Sequence, residues 1–420
     1  MTPLIESGYT GKGVTVAVVG WARDSSFFDD IQSFDQTYGL PNASVTVVTP
    51  YGSDGTLANH SVYTGEVTAD VELVHAMAPG AKILVVLSGY WDFLKALDYT
   101  IENNLAGVIT TSYANAFPGG LVGSYEEAFA TSVNESITLV APSGDSGSNF
   151  TAPSNSYTLP VPANLTVLPT FSPYFTVVGG TELVAPGPPA EWAWEYSGGG
   201  PSTFPQPSWQ AGPGVPMNGY RDIPDVSLDA SCETPYDEYW NGAPSASCGT
   251  SDAAPTFAGI IADVEQAAGH RLGFLNPSLY ALARSDPTAF HEITNGYSLA
   301  VVDGNLEPGY CASPGWNFVT GLGSPDAVNL LRFFAPGAAL NGTALGEANS
   351  TQTASTESIS ARTATVCPAF VRPAPPFRSG TAIAVAAVAG TALVVLSAVA
   401  IRRWRKNAPK EVQTTVPPWD

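Results

Sequence analysis

Short apolar runs of strand character alternate with helix-patterned stretches through residues 1–335, and this alternation restricts the fold more than any other feature. VTVAVVGW (14–21), AKILVVLSG (81–89), AGVITTSYA (106–114) and ITLVAPSGDSG (137–147) read as strands running into turns. Between them, residues 66–77, 92–103 and 124–134 carry helical spacing of apolar positions. Parallel neighbours need a long crossover, which a helix supplies, so the pattern predicts an α/β protein with a mostly parallel central sheet flanked by helices. No internal repeat is visible. The chain has 420 residues, enough for one large domain of roughly 250–350 residues or for two ordinary ones.

The last quarter changes character. Residues 336–379 are rich in Ala, Thr, Ser and Pro, as in TALGEANSTQTASTESISARTAT (343–365). Such a segment buries too little apolar surface to fold alone and reads as a stalk. Residues 380–401, GTAIAVAAVAGTALVVLSAVAI, form 22 uncharged residues, a length that spans a bilayer as a helix. RRWRK (402–406) follows, so residues 402–420 are expected to be a cytoplasmic tail, with the folded domain outside a single-pass cell-membrane anchor. Asn-x-Ser/Thr triplets at Asn42, Asn59, Asn134, Asn149, Asn164, Asn341 and Asn349 agree with an extracellular domain. Cys232, Cys248, Cys311 and Cys367 permit two disulfides by three connectivities, between which the sequence does not choose. MTPLIESGYTGKG has no apolar signal core, so an export signal is expected on a segment outside this chain.

Charge excludes one class of partner. With 16 Lys+Arg against 37 Asp+Glu, the net charge of −21 repels nucleic acid. Near pH 3 most carboxyls are neutral and that self-repulsion fades, which suits an acidic environment.

The chemistry centres on SCGTSDAAPTFAGII (247–261), where Ser251 sits at the start of a helical pattern. A serine there is commonly a cap, but it is also placed as a nucleophile once something takes its proton. The four histidines, His60, His75, His270 and His291, lack the glycine-rich surroundings of a catalytic base. YTGEVTADVELVHAMAPGAKI instead puts Glu66 and Asp70 on one helix face, four residues apart. Like charges so placed repel unless they share a proton, one acting as base while the other supports it. Asp145 lies in a Gly-flanked turn after an apolar strand, where a neutral carboxyl can donate to a developing oxyanion. The plainer readings are a solvated acidic helix edge for the pair and a turn former for Asp145.

GTSDAAPTFAG resembles the signature of the sedolisin family, the serine-carboxyl peptidases, with a proline four residues after the serine. In register with it are the Glu66/Asp70 helix followed by APGAKI, SGDSG around Asp145, PTFSPYFTVVGGTE (169–182), WEYSGGGPSTFPQPSWQ (194–210), RDIPDVSLDA (221–230) and GFLNPSLY (273–280). The resemblance covers roughly residues 8–335 and implies a subtilisin-like fold acting on peptide or protein substrates. It implies Ser251 as nucleophile, Glu66 as general base, Asp70 as its support and Asp145 as oxyanion acid. Whether cleavage is internal or removes tripeptides stays open. A carboxylate base is reasonable in acid, since a histidine titrating at about 6.5 is already protonated there. The backbones at Ser112-Tyr113 and Ser197–Gly200 resemble substrate-cleft edges.

The resemblance also implies one structural calcium ion, for which the matching positions are Glu292, Ile293, Ser313, Gly315 and Asn317. Glu292 and Asn317 both replace aspartates, leaving one negative charge fewer. Cys248 stands where the signature begins with serine, and is read as a disulfide partner. Asp252, directly after Ser251, is read as an extra carboxyl that repels acidic substrates or lowers the pH optimum. A pro-region is usual in such enzymes, and this sequence starts almost at the catalytic domain, which leaves three readings open: a truncated sequence, a processed form with a separate pro-region as partner, or a protein that folds without one. Two rival readings remain: a surface-anchored binding protein on an inactive peptidase scaffold, and a His-dependent subtilisin-like peptidase using His60 or His75.

Overall fold

The structure is a computed structural model that describes residues 2–51, 56–57, 62–89, 93–118, 122–148, 165–184, 190–302 and 305–341. Among these residues an eight-stranded sheet forms the centre. From one edge its strands run Ala190–Ala193, Thr176–Val184, Thr138–Pro142, Val108–Thr110, Thr15–Gly20, Lys82–Leu87 and Ser44–Val48, with Val226–Asp229 added beside Thr176–Val184. All pairings are parallel except that of Ala190–Ala193. The α/β expectation therefore holds. Val16 to Val19 are fully buried, as a central strand covered on both faces requires.

From Thr15–Gly20 the chain passes to the edge strand Ser44–Val48, returns to Lys82–Leu87 and then crosses to Val108–Thr110 on the other side, so the direction of winding switches across the carboxyl end of Thr15–Gly20. The helix Val62–Met77 crosses just above it. Gly20 permits this, because a Cβ there would meet Val67 Cγ2 at 2.6 Å and the Tyr113 ring at 3.1 Å. Ser112 and Asp145 follow the carboxyl ends of Val108–Thr110 and Thr138–Pro142. Three strand ends thus converge on one rim.

Cys232 and Cys248 are joined, with Cα atoms 5.0 Å apart, and Cys311 is disulfide-bonded as well. No helix among the described residues is long and apolar enough to cross a membrane. The expected stalk beyond residue 341, the span 380–401, the tail 402–420, and His60 all lie outside the described residues.

Candidate active site

Two helices bring Ser251 and Glu66 together. Val62–Met77 and Thr250–Ala268 lie side by side, and Gly259 allows their contact. A Cβ on Gly259 would sit 2.6 Å from Met77 Cβ and 3.1 Å from the Val74 carbonyl oxygen. Gly259 is eight residues beyond Ser251, and Val74 eight beyond Glu66. The same register therefore sets Ser251 against Glu66.

The Ser251 hydroxyl donates a hydrogen bond to the half-buried Glu66 carboxylate. Burial pushes Glu66 well above the ordinary glutamate value, and the Asp70 charge pushes it further. Asp70 is buried and likewise raised by its burial, opposed by a hydrogen bond from Ser112. Asp70 Oδ2 has no hydrogen-bond partner among the described residues, so the two carboxyls influence each other through charge and not through a direct bond.

Ser112 explains the signature proline. Pro255 has no N–H, so the carbonyl of Ser251, four residues earlier, lacks its helical partner. Ser112 Oγ lies 3.0 Å from that carbonyl oxygen and 2.7 Å from Asp70 Oδ1. One hydroxyl proton cannot fully serve both acceptors. When Asp70 is protonated it donates to Ser112, and Ser112 donates to the Ser251 carbonyl. The sequence marks Ser112 only as a cleft edge, yet it links Asp70 to the backbone of Ser251.

Asp145 approaches from the other side. Its Oδ1 accepts from Thr250 N at 2.8 Å and from Thr250 Oγ1 at 2.7 Å, while Thr250 Oγ1 accepts from Gly144 N at 2.9 Å. Its Oδ2 is left to carry a proton. Oδ2 and Ser251 Oγ flank one small space, since a Cβ on Gly249 would lie 2.8 Å from the first and 3.2 Å from the second. Burial raises the Asp145 pKa despite the two bonds from Thr250. A neutral carboxyl beside a serine oxygen is a hydrogen-bond donor aimed where an oxyanion would form.

Other expectations change. Asp252 is buried and accepts from Ser247 Oγ at 2.9 Å, so it faces the protein interior and not a substrate. Its burial and the Glu66 charge raise it well above the ordinary value, which adds an uncharged neighbour to the cluster in acid. Gly198 and Gly199 are buried, and a Cβ on either would collide with the carbonyl oxygen of Ser143 or Phe318. Those glycines serve close internal packing, so Ser197–Gly200 is not an open cleft edge. Tyr113 is buried and stacks on Trp21 at 4.7 Å. His75 is buried beside Asp35, 3.2 Å away, and its Nε2 is 2.8 Å from the Pro41 carbonyl, a structural setting.

Sequence reasoning misses the hairpin of Tyr236–Trp240 and Ala243–Ser247 that closes over the Glu66 helix. Its signal was present, since Asn241-Gly242 is a favoured two-residue turn and both residues have positive φ. Trp240 packs over Gly65, where a Cβ would lie 3.1 Å from the ring, and the hairpin's Glu238 adds charge near Glu66.

The five positions expected to hold calcium do converge. Gly315 N donates to Glu292 Oε1 at 2.7 Å. Asn317 Nδ2 lies 3.1 Å from the Ser313 carbonyl oxygen and 3.4 Å from that of Ile293. The side chain thus turns N–H groups, not an oxygen, toward these two carbonyls. That donor set does not fit a cation. Among the described residues no group of three His, Cys, Asp or Glu could hold a metal ion.

The profile of the Subtilase family matches residues 36–279. Kumamolisin of Bacillus sp. (strain MN-32) is 33% identical over 296 residues, covering 65% of this chain and 51% of the relative. Sedolisin of Pseudomonas sp. (strain 101) is 29% identical over 355 residues, covering 77% and 58%. The chain thus spans between half and three fifths of the length of these curated relatives. In solved structures, a Pseudomonas sedolisin, described as a serine-carboxyl proteinase complexed with two molecules of pseudo-iodotyrostatin, superposes with a TM-score of 0.67 and 27% identity. That match covers 78% of this chain and 94% of the other.

Proposed function

As this chain belongs to the subtilase family, we propose that it is a serine-carboxyl peptidase hydrolysing peptide bonds in acid through an acyl-enzyme on Ser251. The observation that carries the reading is the Ser251 hydroxyl bonded to Glu66, with Asp145 Oδ2 across the same space. Ser251 Oγ attacks the scissile carbonyl carbon as its proton passes to Glu66. The oxyanion accepts a hydrogen bond from protonated Asp145. Glu66 then returns the proton to the leaving amine, whose C–N bond breaks to leave the acyl-enzyme. Water, losing a proton to Glu66, attacks the ester; the ester C–O bond breaks, Ser251 Oγ takes that proton back from Glu66, and the acid is released. Asp70 supports each step by sharing charge with Glu66, so the pair never carries two full negative charges.

The acidic residues decide the pH range. Activity rises as the Glu66/Asp70 pair loses its first proton and falls as Asp145 loses its own. The full chain in detergent should hydrolyse a denatured protein with a maximum below about pH 5. Ser251→Ala should abolish this. Glu66→Gln should lower kcat by roughly 100- to 10,000-fold while the melting temperature at pH 4 is kept. A maximum near neutrality would transfer the base role to a histidine, and silence at every pH would favour an inactive binding scaffold. The uncharged run 380–401 with RRWRK behind it supports a single-pass anchor with an outward-facing domain. Protease shaving of intact cells should remove the domain and spare the tail.

A further inference from the structure

We propose that the amide of Asn317 takes the place of a structural cation, so that this chain needs no calcium to hold the loops around residues 292–293 and 313–321. Asn317 is only 5% exposed, and both ends of its amide are used. Oδ1 accepts from Val319 N at 3.0 Å, Thr320 N at 3.0 Å and Thr320 Oγ1 at 3.2 Å. Nδ2 faces the carbonyl oxygens of Ser313 and Ile293. This fixes the orientation of a group that is otherwise ambiguous. Turning the amide over would set its N–H groups against two backbone donors and its oxygen against two backbone acceptors. The four backbone contacts would become repulsive, and only the Thr320 hydroxyl could reverse its role.

A cation would attract the two carbonyls and a side-chain oxygen to itself. Here an uncharged amide meets the carbonyls with its own hydrogens and spends its oxygen on the turn that follows. Glu292 is exposed and is occupied by the Gly315 N–H, so it does not aim an uncompensated charge at the centre. The arrangement suits an acidic setting. Carboxylate ligands lose a cation as they protonate, whereas an amide has nothing to titrate.

The pin also lies behind the active site. The Val319 carbonyl, held by the Asn317-capped turn, accepts from Ser197 Oγ at 2.8 Å. The adjoining Gly198 N donates to the Gly144 carbonyl at 2.7 Å, next to Asp145. Three hydrogen bonds thus connect Asn317 to the segment that carries Asp145.

The test compares melting temperatures of the full chain in millimolar EDTA and in millimolar calcium at pH 5.5, with calcium content read by elemental analysis. The wild type should melt within about 1 °C in both and carry no stoichiometric calcium, since nothing binds the native state preferentially. Asn317→Asp points a carboxylate at the two carbonyls. It should melt roughly 5–10 °C lower in EDTA and recover most of that in calcium. Asn317→Ala should melt lower than wild type in both buffers alike. A wild type that loses stability in EDTA, or one retaining one calcium per chain after dialysis, would overturn the proposal. So would an Asn317→Asp variant that folds but ignores calcium. If that variant does not fold, the wild-type comparison alone still decides.

Discussion

Gly249 holds φ 142° and ψ 166°, a conformation that L side chains rarely adopt, directly before Thr250 and Ser251. The same residue leaves open the space between Asp145 Oδ2 and Ser251 Oγ. Gly249→Ala adds strain and fills that space, so kcat should fall at least about 100-fold, as for loss of an oxyanion donor. Circular dichroism should show the fold retained; wild-type turnover would remove Asp145 from the oxyanion role. Ser112 tests the opposite flank. Ser112→Ala leaves the Ser251 carbonyl without its partner and takes a donor from Asp70. Losing one such bond corresponds to roughly a tenfold drop in kcat. Adding Pro255→Ala restores a backbone N–H to the same carbonyl, so the double variant should recover part of the loss. No recovery would mean that Ser112 acts through Asp70 alone.

The two helices and the hairpin show what was readable at the scale of elements. Glu66, Asp70, Asp145 and Ser251 stood out as candidates because each sits in a local pattern, such as a four-residue helical spacing or a Gly-flanked turn at a strand end, while their roles were decided only by the resemblance to the sedolisin family. The parallel sheet was legible for the same reason, its strands being continuous apolar runs. What was not legible depends on contacts between distant segments. Ser112 meets the Ser251 carbonyl across 139 residues, and Asp30 reaches the hairpin turn across more than 200. Asp30 Oδ2 accepts from Asn241 N at 3.0 Å and Oδ1 from Gly242 N at 2.8 Å, while Trp240 Nε1 donates to Asp24 at 2.9 Å. These bonds clamp the hairpin over the Glu66 helix, and only the fold brings them together. Asp30→Ala removes the turn's acceptor and should lower unfolding free energy by about 1–3 kcal/mol. The hairpin should also loosen, read as faster amide exchange at Tyr239 to Gly242. Unchanged exchange there would mean that Trp240 and the Cys232–Cys248 bond hold the hairpin without Asp30.

Over the whole molecule, buried carboxyls make stability depend on pH in an unusual direction. Burial raises Glu72 to about 9, Asp263 to about 8, and Glu126 and Glu265 to about 7, from ordinary values of 4.5 for Glu and 3.8 for Asp. Below the ordinary values both folded and unfolded chains hold these protons, and their contribution to stability is complete. Between the ordinary and the raised value the unfolded chain has released its proton while the folded chain has not. The folded state then binds more protons, so stability falls as pH rises and is lost through the raised value. Glu72 and Asp263 are fully buried, and within its window each such group removes about 1.4 kcal/mol per pH unit. The charge of −21, which develops as the carboxyls ionise, acts in the same direction. Neither carboxylate oxygen of Asp263 accepts a hydrogen bond, which singles it out as the cleanest probe. Asp263→Asn copies the protonated acid in shape and cannot ionise. Its urea midpoint should match the wild type at pH 4 and exceed it at pH 7, flattening the decline between them. A wild-type midpoint that rises from pH 4 to pH 7 would reverse the sign of the argument. An Asp263→Asn curve parallel to the wild type would show that Asp263 keeps its ordinary value in the folded protein.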